Sequence, residues 1–128
     1  MTKPVTVLIV EDDELLREIY TMKLKLEGFD VNTATDGLDG LKKASATEPD
    51  VILLDMLMPR MTGLEFLKAY QLRTKHPHVK TIILSNKSTS AEINEAKTMG
   101  VREYLIKSQH TPQEIVTHIK SHLEPEQV

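Results

Sequence analysis

Short aliphatic runs alternate along this chain with longer amphipathic segments, and the alternation repeats five times. The runs Val5 to Val10, Asp30 to Ala34, Val51 to Leu54, Lys80 to Leu84 and Glu103 to Ile106 have strand length, and most are dominated by Val, Ile and Leu. Segments of helical period follow each of them. Glu14 to Glu27 carries Leu15, Ile19, Met22 and Leu26 on one face, and Gly37 to Thr47 carries Leu38, Leu41 and Ala44. Gly63 to Thr74 carries Leu64, Leu67 and Tyr70; Ser90 to Met99 carries Ile93 and Ala96; Thr111 to Leu123 carries Ile115, Val116, Ile119 and Leu123. Strands separated by whole helices cannot close as hairpins. Crossovers of this length demand a parallel sheet with right-handed connections and helices on both faces. The expected fold class is α/β, a doubly wound five-stranded parallel sheet.

Local punctuation agrees with this reading. Gly28 and Gly100 stand just past helix ends, and Pro112 follows Thr111 as a first-turn proline after a capping hydroxyl. Ser90, and Thr111 with Glu114, are expected amino-terminal caps, as is Asp36 before Gly37. A length of 128 residues suits one domain, expected over 1–128 with its core in 5–123 and a frayed tail at 124–128. The formal charge of −3 and the absence of any Lys/Arg block disfavour direct binding to nucleic acid or an anionic membrane. With no cysteine, disulfides, thiol nucleophiles and cysteine zinc sites are excluded. Met1 to Pro4 runs straight into a short strand, unlike a signal peptide, and no apolar run approaches the ~18 residues of a membrane span. A soluble, cytoplasmic protein is expected.

In open α/β sheets ligands bind outside the carboxyl ends of the strands. Those ends carry Glu11-Asp12-Asp13 after the first run, Asp55 after the third, Ser85-Asn86 after the fourth and Lys107 after the fifth. Carboxylates packed together repel and raise each other's pKa, so such a cluster is usually kept for a cation or for proton chemistry. Asp12 and Asp13 suit a helix cap equally well when taken alone. With Asp55 across the sheet, a divalent cation becomes the better account. Three carboxylates without histidine or cysteine favour Mg2+ or Mn2+ over zinc. Lys107 taken singly is a solvated lysine, and Ser85 an ordinary strand-exit residue. Together with Asp55 and a metal they form a constellation for phosphoryl transfer.

Leu8-Ile9-Val10-Glu11-Asp12-Asp13, Leu53-Leu54-Asp55-Met56-Leu57-Met58-Pro59 with Gly63, Ile83-Leu84-Ser85-Asn86 and Tyr104-Leu105-Ile106-Lys107 resemble, in order and spacing, the motifs of response-regulator receiver domains. The resemblance covers nearly the whole chain. It implies a flavodoxin-like (βα)5 fold with strand order 2-1-3-4-5. It also implies that Asp55 accepts a phosphoryl group from a phosphohistidine on a histidine kinase or histidine phosphotransfer protein. Asp13, Asp55 and the main-chain carbonyl of Leu57 would bind Mg2+, with Asp12 helping through water. Lys107 would contact the phosphoryl group, Ser85 would move to hydrogen-bond it, and Tyr104 would change rotamer. Such a protein is a signalling phosphoacceptor of a two-component system rather than a turnover enzyme. It catalyses its own phosphorylation and dephosphorylation and passes the signal to a downstream protein, as a monomer or a phosphorylation-dependent dimer.

One position departs from the family pattern. Ser108 stands where receivers usually have a cis proline; a cis bond before a non-proline residue costs about 2.5–4 kcal/mol, so the sequence leaves cis and trans both open here, and with them the shape of the loop that places Lys107. The output surface is expected to include Lys87, Lys97, Arg102, Tyr104 and parts of the helix from Thr111, while the five histidines read as solvated. Two rival readings lose ground on particular residues. An aspartyl phosphatase needs a second acid two residues after its nucleophile, where this chain has Leu57. A nucleotide- or flavin-binding module needs glycines or hydroxyls in its first turn, where Glu11-Asp12-Asp13 repels phosphate.

Overall fold

The computed structural model describes residues 3–86 and 88–123. The elements run β1 (Thr6–Val10), α1 (Glu14–Leu26), β2 (Asp30–Ala34), α2 (Gly37–Thr47), β3 (Val51–Asp55), α3 (Gly63–Tyr70), α4 (Leu72–Lys75), β4 (Lys80–Ser85), α5 (Ser90–Thr98), β5 (Glu103–Ile106), a 3-10 turn (Lys107–Gln109) and α6 (Pro112–Ser121). All strand pairs are parallel and the sheet order is β2-β1-β3-β4-β5. The expected doubly wound architecture and strand order are present. The expected tail at 124–128 and the surface position of Lys87 lie outside the described residues.

Side chains alternate across a strand, so each central strand feeds two cores. Leu8, Val10, Ile52, Leu54 and Ile83 point to one face, where Ala44 of α2, Phe66 and Tyr70 of α3 and Ala96 of α5 cover them. Val7, Ile9, Leu53, Ile82 and Leu84 point to the other, covered by Tyr20 and Leu24 of α1 and Ile115, Val116 and Ile119 of α6. A strand buried on both faces reads as a continuous apolar run, which is why Val51 to Leu54 stood out.

Three local readings change. The apolar face expected for α1 is exposed: Leu15, Met22 and Leu26 are 66%, 55% and 77% accessible, while Tyr20 and Leu24 are buried and Leu16 packs beside them. Both sets have helical spacing, and the set containing the bulkier Tyr20 faces the sheet. The long helix expected over Gly63 to Thr74 breaks at Gln71, which has a left-handed backbone (φ 57°). Tyr70 and Leu72 are both buried, yet two positions on a continuous helix point roughly 200° apart. The left-handed residue resets the phase so that both reach the core. The cap of α5 is Thr89, one residue before the expected Ser90, in a capping box with Glu92. Thr111 with Glu114, and Asp36, cap α6 and α2 as expected, and Gly28 and Gly100 have φ of 91° and 98°.

Candidate functional site

The strand register lines up the chemistry at one edge of the sheet. Val10 pairs with Leu54, Asp55 with Leu84, and Ser85 with Ile106, so Glu11, Asp55, Ser85 and Lys107 succeed one another across four adjacent strands. Gly63 makes room there: its N–H donates to Met56 O at 2.8 Å, and a Cβ on it would stand 3.1 Å from the Asp55 carbonyl. A side chain at 63 would push the start of α3 away from the end of β3.

Asp55 is 6% exposed and Glu11 is 2% exposed. Lys107 Nζ lies 2.8 Å from Glu11 Oε1 and 3.2 Å from Asp55 Oδ1. The Lys107–Ser108 bond is trans, as is every peptide bond among the described residues. The 3-10 turn that follows Ile106 still delivers the ammonium to Asp55. Carboxylate oxygens of Glu11, Asp12 and Asp55 lie within 4.8 Å of one another.

That trio differs by one residue from the acids expected to hold a cation. Asp13 takes the helix cap: its Oδ1 accepts from Leu16 N at 3.0 Å, and its own N–H donates to Glu11 Oε2 at 3.1 Å. Glu11 turns inward instead, its main-chain carbonyl tied at 2.9 Å to Arg17. The clue in the sequence was position: Glu11 directly follows Val10 and therefore leaves β1 at the height at which Asp55 ends β3.

Electrostatics give this crevice its character. Burial pushes the Asp55 carboxyl up to about 8, the neighbouring Glu11 charge pushes the same way, and Lys107 opposes them. For Lys107, burial alone would lower the pKa, but contacts with Glu11 and Asp55 outweigh it and the net direction is upward. One ammonium thus serves a cluster of three carboxylates and touches two of them. Glu11 Oε1 is buried against that ammonium, its partner at 2.8 Å. Hard oxygen donors from three converging carboxylates and negative charge in excess of the one ammonium fit Mg2+ or Mn2+.

The remaining expected residues surround this centre. Ser85 is 1% exposed at the end of β4. Tyr104 is partly buried against the core, and its hydroxyl is buried without a hydrogen-bond partner. Leu57 is 61% exposed. Lys97 and Arg102 are exposed, with Arg102 reaching Pro77 O at 3.3 Å. The histidines do not simply point into solvent. His76 and His78 contact Glu48, while His118 and His122 contact Glu103.

A doubly wound parallel sheet whose carboxyl edge presents a buried aspartate between acids and a lysine places this chain among the open α/β proteins with an acidic strand-end crevice. Comparison with known proteins narrows the class. The response regulator receiver domain family matches residues 7–120. The chain is 35% identical over 105 residues to the probable transcriptional regulatory protein TcrX of Mycobacterium tuberculosis, covering 82% of this chain and 44% of that protein. It is 31% identical over 115 residues to the alkaline phosphatase synthesis transcriptional regulatory protein PhoP of Bacillus subtilis, covering 90% and 47%. The chain thus spans less than half the length of these relatives. The chemotaxis response regulator CheY4 of Vibrio cholerae superposes with a TM-score of 0.85 at 30% identity, over 94% of this chain and all of that one. A CheY-like receiver domain protein of Methanospirillum hungatei gives 0.84 at 28%, over 93% of each. This chain belongs to the response-regulator receiver domain family of two-component signalling. Receivers of this family are signalling proteins that interact with histidine kinases and downstream targets. No helix among the described residues is long and apolar enough to cross a membrane.

Proposed function

We propose that Asp55 is a phosphoacceptor which takes its phosphoryl group from a phosphohistidine on a histidine kinase or histidine phosphotransfer protein. The observation that carries this reading is the geometry around one carboxylate: Asp55, nearly buried at a strand end, has Lys107 at 3.2 Å and the oxygens of Glu11 and Asp12 within 4.8 Å. An Asp55 oxygen attacks phosphorus while the P–N bond breaks and its electron pair leaves with the imidazole nitrogen. The product is an acyl phosphate. Attack requires an ionised carboxylate, so the burial that raises the Asp55 pKa has to be offset by positive charge.

Lys107 supplies part of that charge and afterwards pairs with a phosphoryl oxygen. Asp12, Asp55 and the main-chain carbonyl of Leu57 would hold Mg2+ or Mn2+. Glu11 would help through water in the role expected of Asp12, because Asp13 is engaged in capping α1. A bound ion supplies neutralisation of the carboxylates and of charge building on the phosphoryl oxygens. Leu57, 61% exposed and two residues past Asp55, gives a protein donor an apolar foothold beside the crevice.

The acyl phosphate adds about two negative charges beside Ser85. Ser85 moves to donate to one of the new oxygens. Tyr104, whose hydroxyl forgoes a hydrogen bond in its present position, rotates into the space released. That repacks α5, β5 and α6, the face through which the phosphorylated form binds its downstream target or a second copy. The shift is limited to the difference in how the phosphoryl group bonds the two packings. The same centre catalyses hydrolysis of its own acyl phosphate, and Leu57 is an apolar gate against water. Leu57→Asn is expected to shorten the lifetime of the phosphorylated protein in a phosphate-release time course; an unchanged or longer lifetime removes the gate.

Incubation with acetyl phosphate and Mg2+ followed by intact mass tests the central claim. The expected result is one phosphoryl group per chain, absent with a chelator and absent in Asp55→Asn. Modification that persists in Asp55→Asn overturns the assignment.

A further inference from the structure

We propose that Glu103, His118 and His122 form a second metal site, selective for a transition ion such as Zn2+ and separate from the acidic crevice. His118 and His122 are four residues apart at the end of α6, so they share one face of that helix. Glu103 opens β5 directly opposite them. His118 Nδ1 stands 2.7 Å from Glu103 Oε2, and His122 Nε2 stands 2.7 Å from Glu103 Oε1. One carboxylate therefore already holds two imidazole nitrogens, each on its own oxygen. His110 brings a third imidazole edge-on to His118, with ring centroids 5.0 Å apart.

Two imidazoles and a carboxylate are the donors of open zinc sites, with water completing the tetrahedron. The softer nitrogen ligands separate this site from the all-oxygen crevice, which suits Mg2+. Among the described residues only Glu11, Asp12 and Asp55 have ligand atoms mutually within 4.8 Å, so the histidine site closes on its ion rather than standing ready. In a tetrahedral zinc site neighbouring ligand atoms lie roughly 3.3 Å apart. Each present N–O contact has to open by about half an ångström while the imidazoles swing toward each other. The side chains have that freedom, with His118, His122 and Glu103 exposed by 34%, 21% and 23%.

The other histidine pair shows what such a site requires. His76 and His78 also grip one carboxylate, Glu48, but they stand two residues apart in a turn and the His76 ring is stacked on Tyr70 at 4.1 Å with 5° between planes. That ring cannot swing without losing its stack. An ion at Glu103 would clamp α6 to β5 next to Tyr104, in the segment the proposed switch repacks. The site itself stands on its own geometry and does not depend on phosphorylation of Asp55.

The test is calorimetric titration of ZnCl2 into the full chain without a polyhistidine tag, in millimolar Mg2+ so that the acidic crevice is already served. Wild type is expected to bind one equivalent. Partners outside the first coordination sphere are worth about 10- to 100-fold in affinity, so loss of a ligand in His118→Ala, His122→Ala or Glu103→Gln is expected to weaken binding by more than about tenfold. His76→Ala is expected to bind as wild type, and circular dichroism checks that each variant is folded. Absence of saturable binding to wild type overturns the site, as does equal affinity in folded His118→Ala.

Discussion

Replacing Lys107 with alanine is expected to lower the unfolding free energy of the metal-free protein by about 3–5 kcal/mol near neutral pH, the usual cost of stripping one partner from a buried ion pair. The side chain is 10% exposed and touches two carboxylates that are themselves 2% and 6% exposed. Without it, Glu11 loses the ammonium 2.8 Å away and Asp55 is held still more firmly in its protonated form. The deficit therefore depends on pH, and its sign follows from proton counts. Asp55 titrates near 3.8 when unperturbed and at about 8 in the fold, so the folded protein holds a proton the unfolded chain has lost across that window. Stability from this group is fully present below about 4 and disappears as pH rises through about 8. Removing Lys107 strengthens the effect, because Lys107 was lowering the Asp55 pKa. Urea denaturation should show a Lys107→Ala deficit that changes little between pH 5 and 7, where Asp55 is protonated in both folded proteins, and that grows as pH rises past about 8, where wild type ionises Asp55 and the variant does not. Adding Mg2+ should recover part of the loss, and a Glu11→Gln background should shrink it. A deficit that is constant with pH would mean that Lys107 contributes packing rather than charge.

Legibility of this molecule in its sequence tracked how far each signal is local. Strands buried on both faces, such as Val51–Asp55, announce themselves because no alternation is needed to satisfy two cores. The strand-end chemistry was legible for the same reason: Asp55, Ser85 and Lys107 are the first polar groups after apolar runs. Choices between two adequate patterns were not. On α1 the stripe through Leu15 and Met22 and the stripe through Leu16, Tyr20 and Leu24 are both helical in spacing, and only contact with the sheet selects the second. Asp12 and Asp13 each suit a cap or a cation, and the turn out of β1 assigns the cap to Asp13 while folding Glu11 inward. The break at Gln71 was invisible because no glycine or proline marks it; it comes from the demand that Tyr70 and Leu72 both be buried. Pairing of the histidines with Glu48 and Glu103 joins residues 15 to 30 positions apart on the exposed side of the chain, where no periodicity points to a partner.

Phe66→Ala is expected to cost a further about 3–5 kcal/mol, the range for emptying a large aromatic site in a close-packed core. Phe66 is 0% exposed and is the largest of the fully buried side chains. Its position on α3 makes it the bolt between two helices and the sheet. A Cβ placed on Gly40 of α2 would come within 3.4 Å of Phe66 Cε2 and within 2.8 Å of Val10, so α2 can lie this close only because residue 40 has no side chain. Phe66 also sits against Tyr70 with ring centroids 5.7 Å apart. Neighbours on three elements cannot all collapse into the space a benzyl group leaves, so little of the cavity cost is recovered by relaxation. Folded domains are stable by only about 5–15 kcal/mol, so this variant should unfold at markedly lower urea concentration with an unchanged slope. The crevice is a separate matter, because Gly63 and Thr62 fix the start of α3 through the Met56 carbonyl and the Glu65 capping box, both independent of the Phe66 ring. The folded fraction of Phe66→Ala, kept cold, should still take up one phosphoryl group from acetyl phosphate. Loss of phosphorylation in protein shown to be folded would mean that the packing of α3 against α2 sets the geometry of Asp55, and that the core and the site are coupled rather than stacked one above the other.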